Sequence, residues 1–233
     1  TADNSTTYMS FFSQMDTYGD GYAGIGVWRA AFKPLVDRIA DTDIRLQWFC
    51  CDRSTGVTDA SGKRVTLIRD TKYPVSVEYQ TVKFIGTGRD NIKAGVFSGW
   101  ELGDYIYLRS EEAYMIKMEA LAHKGSADAI TELNSFMKTR QPDYNYTFTN
   151  KADLIEEIIY QKRVEFWGEG LEYIDNRRLN IPVDRTDETW GAENNNHFSA
   201  GKFRYNQEER PFLYQLPLSE IENNSQLSPT DQN

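Results

Sequence analysis

The chain has 233 residues and a net charge of −9, from 35 acidic against 26 basic side chains. That balance argues against a nucleic-acid binder, which carries a basic patch or stripe, and no run of 18 apolar residues encodes a transmembrane helix. The length suffices for a sizeable core in one or two domains.

The first 30 residues are glycine- and tyrosine-rich, with Tyr18-Gly-Asp-Gly-Tyr22 followed by Gly24 and Gly26, which is loop chemistry. The opening T-A-D-N-S-T-T lacks the basic and apolar regions of a signal peptide, so any export signal is expected upstream. Tyr18, Asp20, Tyr22 and Trp28 combine stacking rings with a hydrogen-bonding acid, a mixture suited to sugar recognition. The competing reading is that these rings anchor the loop onto the core. Trp100 and Trp190 are lesser candidates, whereas Trp48 and Trp167 lie in periodic segments that suit a core.

Residues 30–40 predict a short helix whose start Pro34 restricts. Ile44 to Cys50 alternates like a strand, residues 54–63 are turn-rich, and short β-like pieces follow at 65–68, 75–79 and 82–85. Cys50 and Cys51 are adjacent, a poor geometry for a disulfide, and read as free thiols in a strand. From Asp104 the pattern becomes helical. A helix over 107–124 is stopped by Gly125. Ser126 can cap a second helix carrying Ile130, Leu133 and Met137 and ending before Pro142. Together they form an αα-hairpin resembling a tetratricopeptide-like unit. After a polar-aromatic connector at 144–150, a third helix is expected over 152–179, with Gly168 and Gly170 tolerated inside at about 1 kcal/mol each. Residues 184–211 read as an irregular Asn-rich excursion. The expected class is mainly α with irregular loops and a few short strands. Residues 1–103 form a loop-rich α/β segment with the candidate ligand loops, and 104–233 form a helical region.

Signatures of chemistry are sparse. Glu165 and Glu169 share a helix face, but glycosidase carboxylates flank a scissile bond roughly 5–9 Å apart in a cleft. Beside Lys162, Arg163, Arg177 and Arg178 they read as ion-pairing groups. There is no H-E-x-x-H around His123 or His197 and no G-x-S-x-G elbow; Gly86-Thr-Gly88 is not a P-loop, and Asp16 and Asp20 miss EF-hand spacing. No catalytic residue, metal ligand or cofactor is assigned.

Four segments in order carry a resemblance: Y-L-R-S-E-E-A-Y-M-I-K-M-E-A (107–120), A-I-T-E-L-N-S-F-M-K-T-R (129–140), Gln161 to Arg178 around E-F-W-G-E-G, and Q-L-P-L-S-E-I-E-N-N (215–224) with a late Gln232-Asn233. D-T-D-I-R-L (41–46) adds to them. Together these segments resemble the SusD/RagB family of Bacteroidota surface lipoproteins, over about residues 41–233. Departures at Gln161-Lys162 and Glu172 bear on the subgroup. The resemblance implies a SusD-like α fold with tetratricopeptide-like helix pairs, corresponding to the C-terminal half of a longer protein. It also implies a non-catalytic glycan-binding protein of a starch-utilization-type nutrient-uptake system. Such a protein sits on the outer-membrane surface through an upstream lipid anchor and delivers oligosaccharide to a SusC-like TonB-dependent transporter. The alternatives are a helical-repeat scaffold that binds peptides or partner proteins and, with less support, a glycoside hydrolase.

Overall fold

The computed structural model describes residues 29–50, 79–81, 83–84, 106–148, 150–209 and 215–228, together with Phe11, Met15 and Thr230. Tyr18, Asp20, Tyr22, Trp28 and Trp100 lie outside the described residues, as do most of the strands expected between 65 and 85. The described residues are mainly α. Helices α1 (Lys33–Asp37), α2 (Ser110–His123), α3 (Asp128–Met137), α4 (Lys151–Glu165), α5 (Leu171–Leu179), α6 (Asp187–Trp190) and α7 (Leu218–Asn223) carry the architecture. The strands are two-residue pairs: β1 (Phe49–Cys50) with β2 (Gln80–Thr81), and β3 (Val183–Asp184) with β4 (Arg204–Tyr205), both antiparallel. The chain divides into two compact units, Thr1–Glu169 and Gly170–Asn233.

In the first unit, α2 packs against both α3 and α4. Met115, Met118 and Ala122 of α2, Ala129, Leu133 and Met137 of α3, and Leu154 and Ile158 of α4 are all buried, at helical spacings that keep each set on one face. The α2–α3 turn is a Schellman motif: Ser126 N–H donates to Leu121 O and Gly125 N–H to Ala122 O, with Gly125 at φ +70°. Ser126 Oγ accepts from Asp128 N–H and so opens α3 as its sequence suggests. Asn150 caps α4 by accepting from Asp153 N–H, while its amide donates to the Asp153 carboxylate.

Helix α4 is buried on nearly every side. Tyr160 and Val164 join Ala31, Val36, Ile39, Leu46, Phe49 and Tyr79 in a second apolar cluster, against which Trp48 and Trp167 pack half-buried, as expected of core tryptophans. Phe49 meets Trp167 edge-on at 5.7 Å between ring centroids. The segment expected as a strand over 44–50 is instead a 3-10 helix, Ile44–Trp48, followed by β1. The reason is local. Asp43 accepts from Arg45 N–H, opening the turn, and this places the Arg45 side chain inward where alternation would have pointed it elsewhere.

The single helix expected over 152–179 is also two helices. Gly168 and Gly170 adopt φ of +78° and +86°, in the left-handed region that ends a helix, so they interrupt α4 and α5. In the second unit, Asn180 takes the same conformation at the end of α5, with Ile181 N–H bonded to Asn176 O. The stretch expected to be irregular contains β3, α6 and β4. Asp184 organises it by accepting from Thr186 N–H, Thr186 Oγ1 and Thr189 Oγ1, while its carbonyl accepts from Trp190 Nε1.

The two glycines separate strain from crowding. A Cβ at Gly168 would lie 2.6 Å from Phe84 Cε2 and 2.7 Å from Met15 Cε, whereas one at Gly170 meets nothing within 4 Å. Gly170→Ala should cost about 1 kcal/mol from backbone strain alone, and Gly168→Ala about 2–4 kcal/mol from strain plus overpacking. Urea unfolding followed by circular dichroism checks the order; equal losses would contradict it.

Candidate functional site

Three guanidinium groups converge on one buried carboxylate. Glu165, at the end of α4, accepts from Arg109 Nη1 at 2.8 Å, Arg140 Nη2 at 3.0 Å and Arg140 Nε at 3.1 Å, with Arg45 Nη1 at 3.4 Å. The Glu165 and Arg45 side chains are each 1% exposed. Arg45 also donates to both oxygens of Asp43 and to the Gln161 side chain. Arg109 continues to Glu169, donating from Nε and Nη2 at 2.9 Å each, and Lys83 Nζ reaches the same carboxylate at 2.5 Å. The pairs expected with helix neighbours thus run to residues far away in sequence. The physical reason is burial: a carboxylate inside the protein needs cations that come in from other elements.

The same cations serve the end of α4. Lys83 Nζ donates to the carbonyls of Glu165 and Trp167, and Arg109 Nη2 also donates to Glu165 O. These are the carbonyls a helix C-terminus leaves without partners, and positive charge there suits the helix dipole. Burial lowers Lys83 from 10.5 to about 8 against the opposing hydrogen bond and charge of Glu169, so it remains an ammonium at neutral pH. For Glu165, burial alone would raise the pKa. The hydrogen bonds from Arg140 and Arg109 and the charges of Arg140 and Arg45 overcome it and hold the group at about 2.

A solvent-open cleft of about 340 Å³ lies beside this network. Its walls come from the segment after α1 (Arg38, Asp43), the loop after α3 (Asp143, Tyr144, Asn145, Tyr146) and α4 (Glu157, Tyr160). Asn134 of α3 fixes the loop, accepting from Tyr146 N–H at 2.7 Å and donating to Tyr146 O at 3.0 Å. Tyr144 and Tyr146 stack with ring centroids 6.4 Å apart and planes 18° apart. The Arg38 guanidinium covers the Tyr160 ring at 3.9 Å. Glu157 accepts from Tyr144 Oη, Gln161 Nε2 and Arg38 Nη2 at 2.9, 2.7 and 2.6 Å. Burial, followed by the Glu157 charge and hydrogen bond, pushes the Tyr144 hydroxyl up, so it stays a neutral donor.

The segment expected as a polar-aromatic connector, 144–150, instead supplies a wall of this cleft. The usable signal was Tyr-Asn-Tyr directly after Pro142-Asp143, with aromatic and amide side chains alternating. Trp190 exposes 37% of its surface, with its ring N–H fixed on Asp184 O. Among the described residues no cluster of three or more His, Cys, Asp or Glu could hold a metal, and no helix is long and apolar enough to cross a membrane.

The SusD family model matches residues 34–233. Among solved structures, the chain is similar to a SusD-like carbohydrate binding protein from Bacteroides vulgatus ATCC 8482, with a TM-score of 0.63 and 23% identity. That match covers 97% of this chain and 46% of the other, so the chain spans less than half of that protein's length. No curated protein matches it.

Removing the Glu165 charge leaves three guanidinium groups facing a neutral amide, so Glu165→Gln should destabilise by about 3–5 kcal/mol. Because the folded pKa of Glu165 lies below its ordinary 4.5, its contribution is complete above pH 4.5 and drains as pH falls toward 2. The amount at stake is on the order of 3 kcal/mol. Urea unfolding at pH 7, 4 and 3 should show the parent losing stability more steeply than Glu165→Gln; parallel losses would refute the assignment.

Proposed function

We propose that this chain, which belongs to the SusD family, captures oligosaccharide or polysaccharide at the outer-membrane surface without cleaving it and delivers it to a SusC-like TonB-dependent transporter. The observation that carries the reading is the family match over residues 34–233, accompanied by the SusD-like fold. The similar solved structure is described as a carbohydrate binding protein. The non-catalytic part rests on the acids. Glu165 and Glu169, the pair a hydrolase would have used, are both engaged by arginine or lysine, and Glu165 is held far below the range of a general acid at neutral pH.

In this proposal, residues 1–103 carry the ligand loops, with Tyr18, Asp20, Tyr22 and Trp28 contacting the glycan, and 104–233 form the SusD/RagB-like helical region. A lipid anchor on a preceding segment holds the protein at the membrane. Binding then needs only placed rings and hydrogen-bonding groups. Its affinity is modest, because each sugar hydroxyl exchanges water contacts for protein contacts at a net gain of about 0.5–1.5 kcal/mol.

Titration calorimetry against soluble polysaccharides and their oligosaccharides, with reducing ends assayed in the same samples, tests both parts. Saturable binding without new reducing ends is expected, with Tyr22→Ala and Trp28→Ala each weakening it about tenfold. New reducing ends would overturn the non-catalytic reading, and no binding to any glycan would overturn the capture role.

A further inference from the structure

We infer that the cleft between Arg38, the 143–146 loop and α4 is itself a sugar-binding site, selective for a neutral pyranose ring over a uronic acid. The inference rests on the glycan-capture reading and places one contact on residues that reading did not use.

Size and composition come first. A cleft of about 340 Å³ lies at the small end of ligand sites. It has room for one sugar ring whose neighbours trail into solvent. Such a ring offers C–H faces to aromatic side chains and hydroxyl edges to polar ones. The cleft provides both: half-buried Tyr146 backed by Tyr144, and the exposed Asn145, whose side-chain amide has no partner among the described residues. The walls are held in place before any ligand arrives. Asn134 clamps the Tyr146 backbone on both sides, and Glu157 ties Tyr144, Gln161 and Arg38 together. Little ordering is therefore left for the ligand to drive.

Charge then narrows the ligand class. Three carboxylates, Asp43, Asp143 and Glu157, line the cleft against one guanidinium, Arg38. Arg45 neutralises Asp43 from behind, and Arg38 is bound to Glu157. The uncompensated group is Asp143 at the rim, which the Thr42 and Gln141 hydrogen bonds hold below the usual carboxylate range. A ligand carboxylate brought into this cleft meets like charge and finds no unengaged cation among the described residues that line it. A neutral ring meets neither problem.

The test is hydrogen exchange on the full chain with maltohexaose, xylohexaose, mannohexaose and hexagalacturonate as probes. At least one neutral hexasaccharide should protect residues 141–148 saturably, and hexagalacturonate should protect them at least about tenfold more weakly. Tyr146→Ala should raise the concentration needed for protection about tenfold, and Tyr146→Phe, which keeps the ring, should leave it within about twofold. Asn145→Ala, at an exposed position whose side chain makes no hydrogen bond among the described residues, should weaken protection as well. Asp143→Asn should narrow the preference for neutral rings. Binding of a neutral probe with no protection at 141–148, or protection that survives both Tyr146→Ala and Asn145→Ala, overturns this site and leaves the capture role standing. Equal protection by hexagalacturonate overturns the selectivity. Absence of any binding overturns the site and the capture reading together.

Discussion

A carboxylate buried to 1% exposure at the end of a helix is a double electrostatic liability, and the first unit is arranged around answering it. Glu165 has lost water, and it sits where the α4 dipole already presents negative charge. Each problem calls for cations, and neighbours on the same helix cannot supply them from the buried side. Arg45, Arg109 and Arg140 do so from three other segments, while Lys83 joins Arg109 on the terminal carbonyls. Because none of these arginines can leave without stranding a buried charge, the chain before α2, the turn after α3 and the 3-10 helix are all pinned to the end of α4. Such a network adds little net stability compared with apolar packing, but it selects one arrangement of the segments. Here that role is specific: the apolar helix faces alone would tolerate sliding, and the charges do not.

This explains what was legible in the sequence and what was not. Helices α2 and α3 could be read because the local rules decide them: apolar spacing, a glycine in the left-handed conformation and a serine cap all lie within one short stretch. The 3-10 helix at Ile44–Trp48 could not, because an alternating pattern is ambiguous when an arginine at the second position is to be buried. The break between α4 and α5 was hidden for a related reason. Apolar residues at 160, 164, 167, 171 and 174 keep helical spacing across it, and only the positive φ of Gly168 and Gly170 ends the helix. Periodicity does not report whether the backbone between its residues stays helical, and past the break it does not report burial either, since Ile174 is exposed.

The family resemblance was legible for a deeper reason than helix pattern. Arg45 lies in D-T-D-I-R-L, Arg109 in Y-L-R-S-E-E, Arg140 at the end of L-N-S-F-M-K-T-R, and Glu165 and Glu169 in E-F-W-G-E-G. Motifs that look unrelated along the chain are the partners of one charge cluster. Even the departure at Gln161 has a place in it, since that side chain accepts from Arg45 and donates to Glu157. The cleft, by contrast, was not legible, because its walls come from three separate segments and no local pattern brings them together. The segment that carried the glycan expectation, Tyr18 to Trp28, lies outside the described residues.

The charge cluster and the cleft are continuous, which constrains how the specificity of the proposed site can change. From Glu165 the chain of contacts runs through Arg45 and Gln161 to Glu157, and from there to Tyr144 and Arg38 at the cleft surface. Groups on that path are committed to one another, so altering any of them disturbs the end of α4 before it disturbs a ligand. Asn145, Tyr146 and Asp143 are different. They face the cleft, yet they are joined to the scaffold through the Asn134 clamp on the Tyr146 backbone, the Tyr146 Oη bond to Asp153 O and the Thr42 bond to Asp143, none of which involves the buried charges. Substitution at these positions changes what the cleft presents while leaving the buried charges paired. In the proposed site, a rigid ionic floor under an exchangeable rim lets the rim vary independently, because the cost of holding the walls in place is met by interactions already made before a ligand arrives.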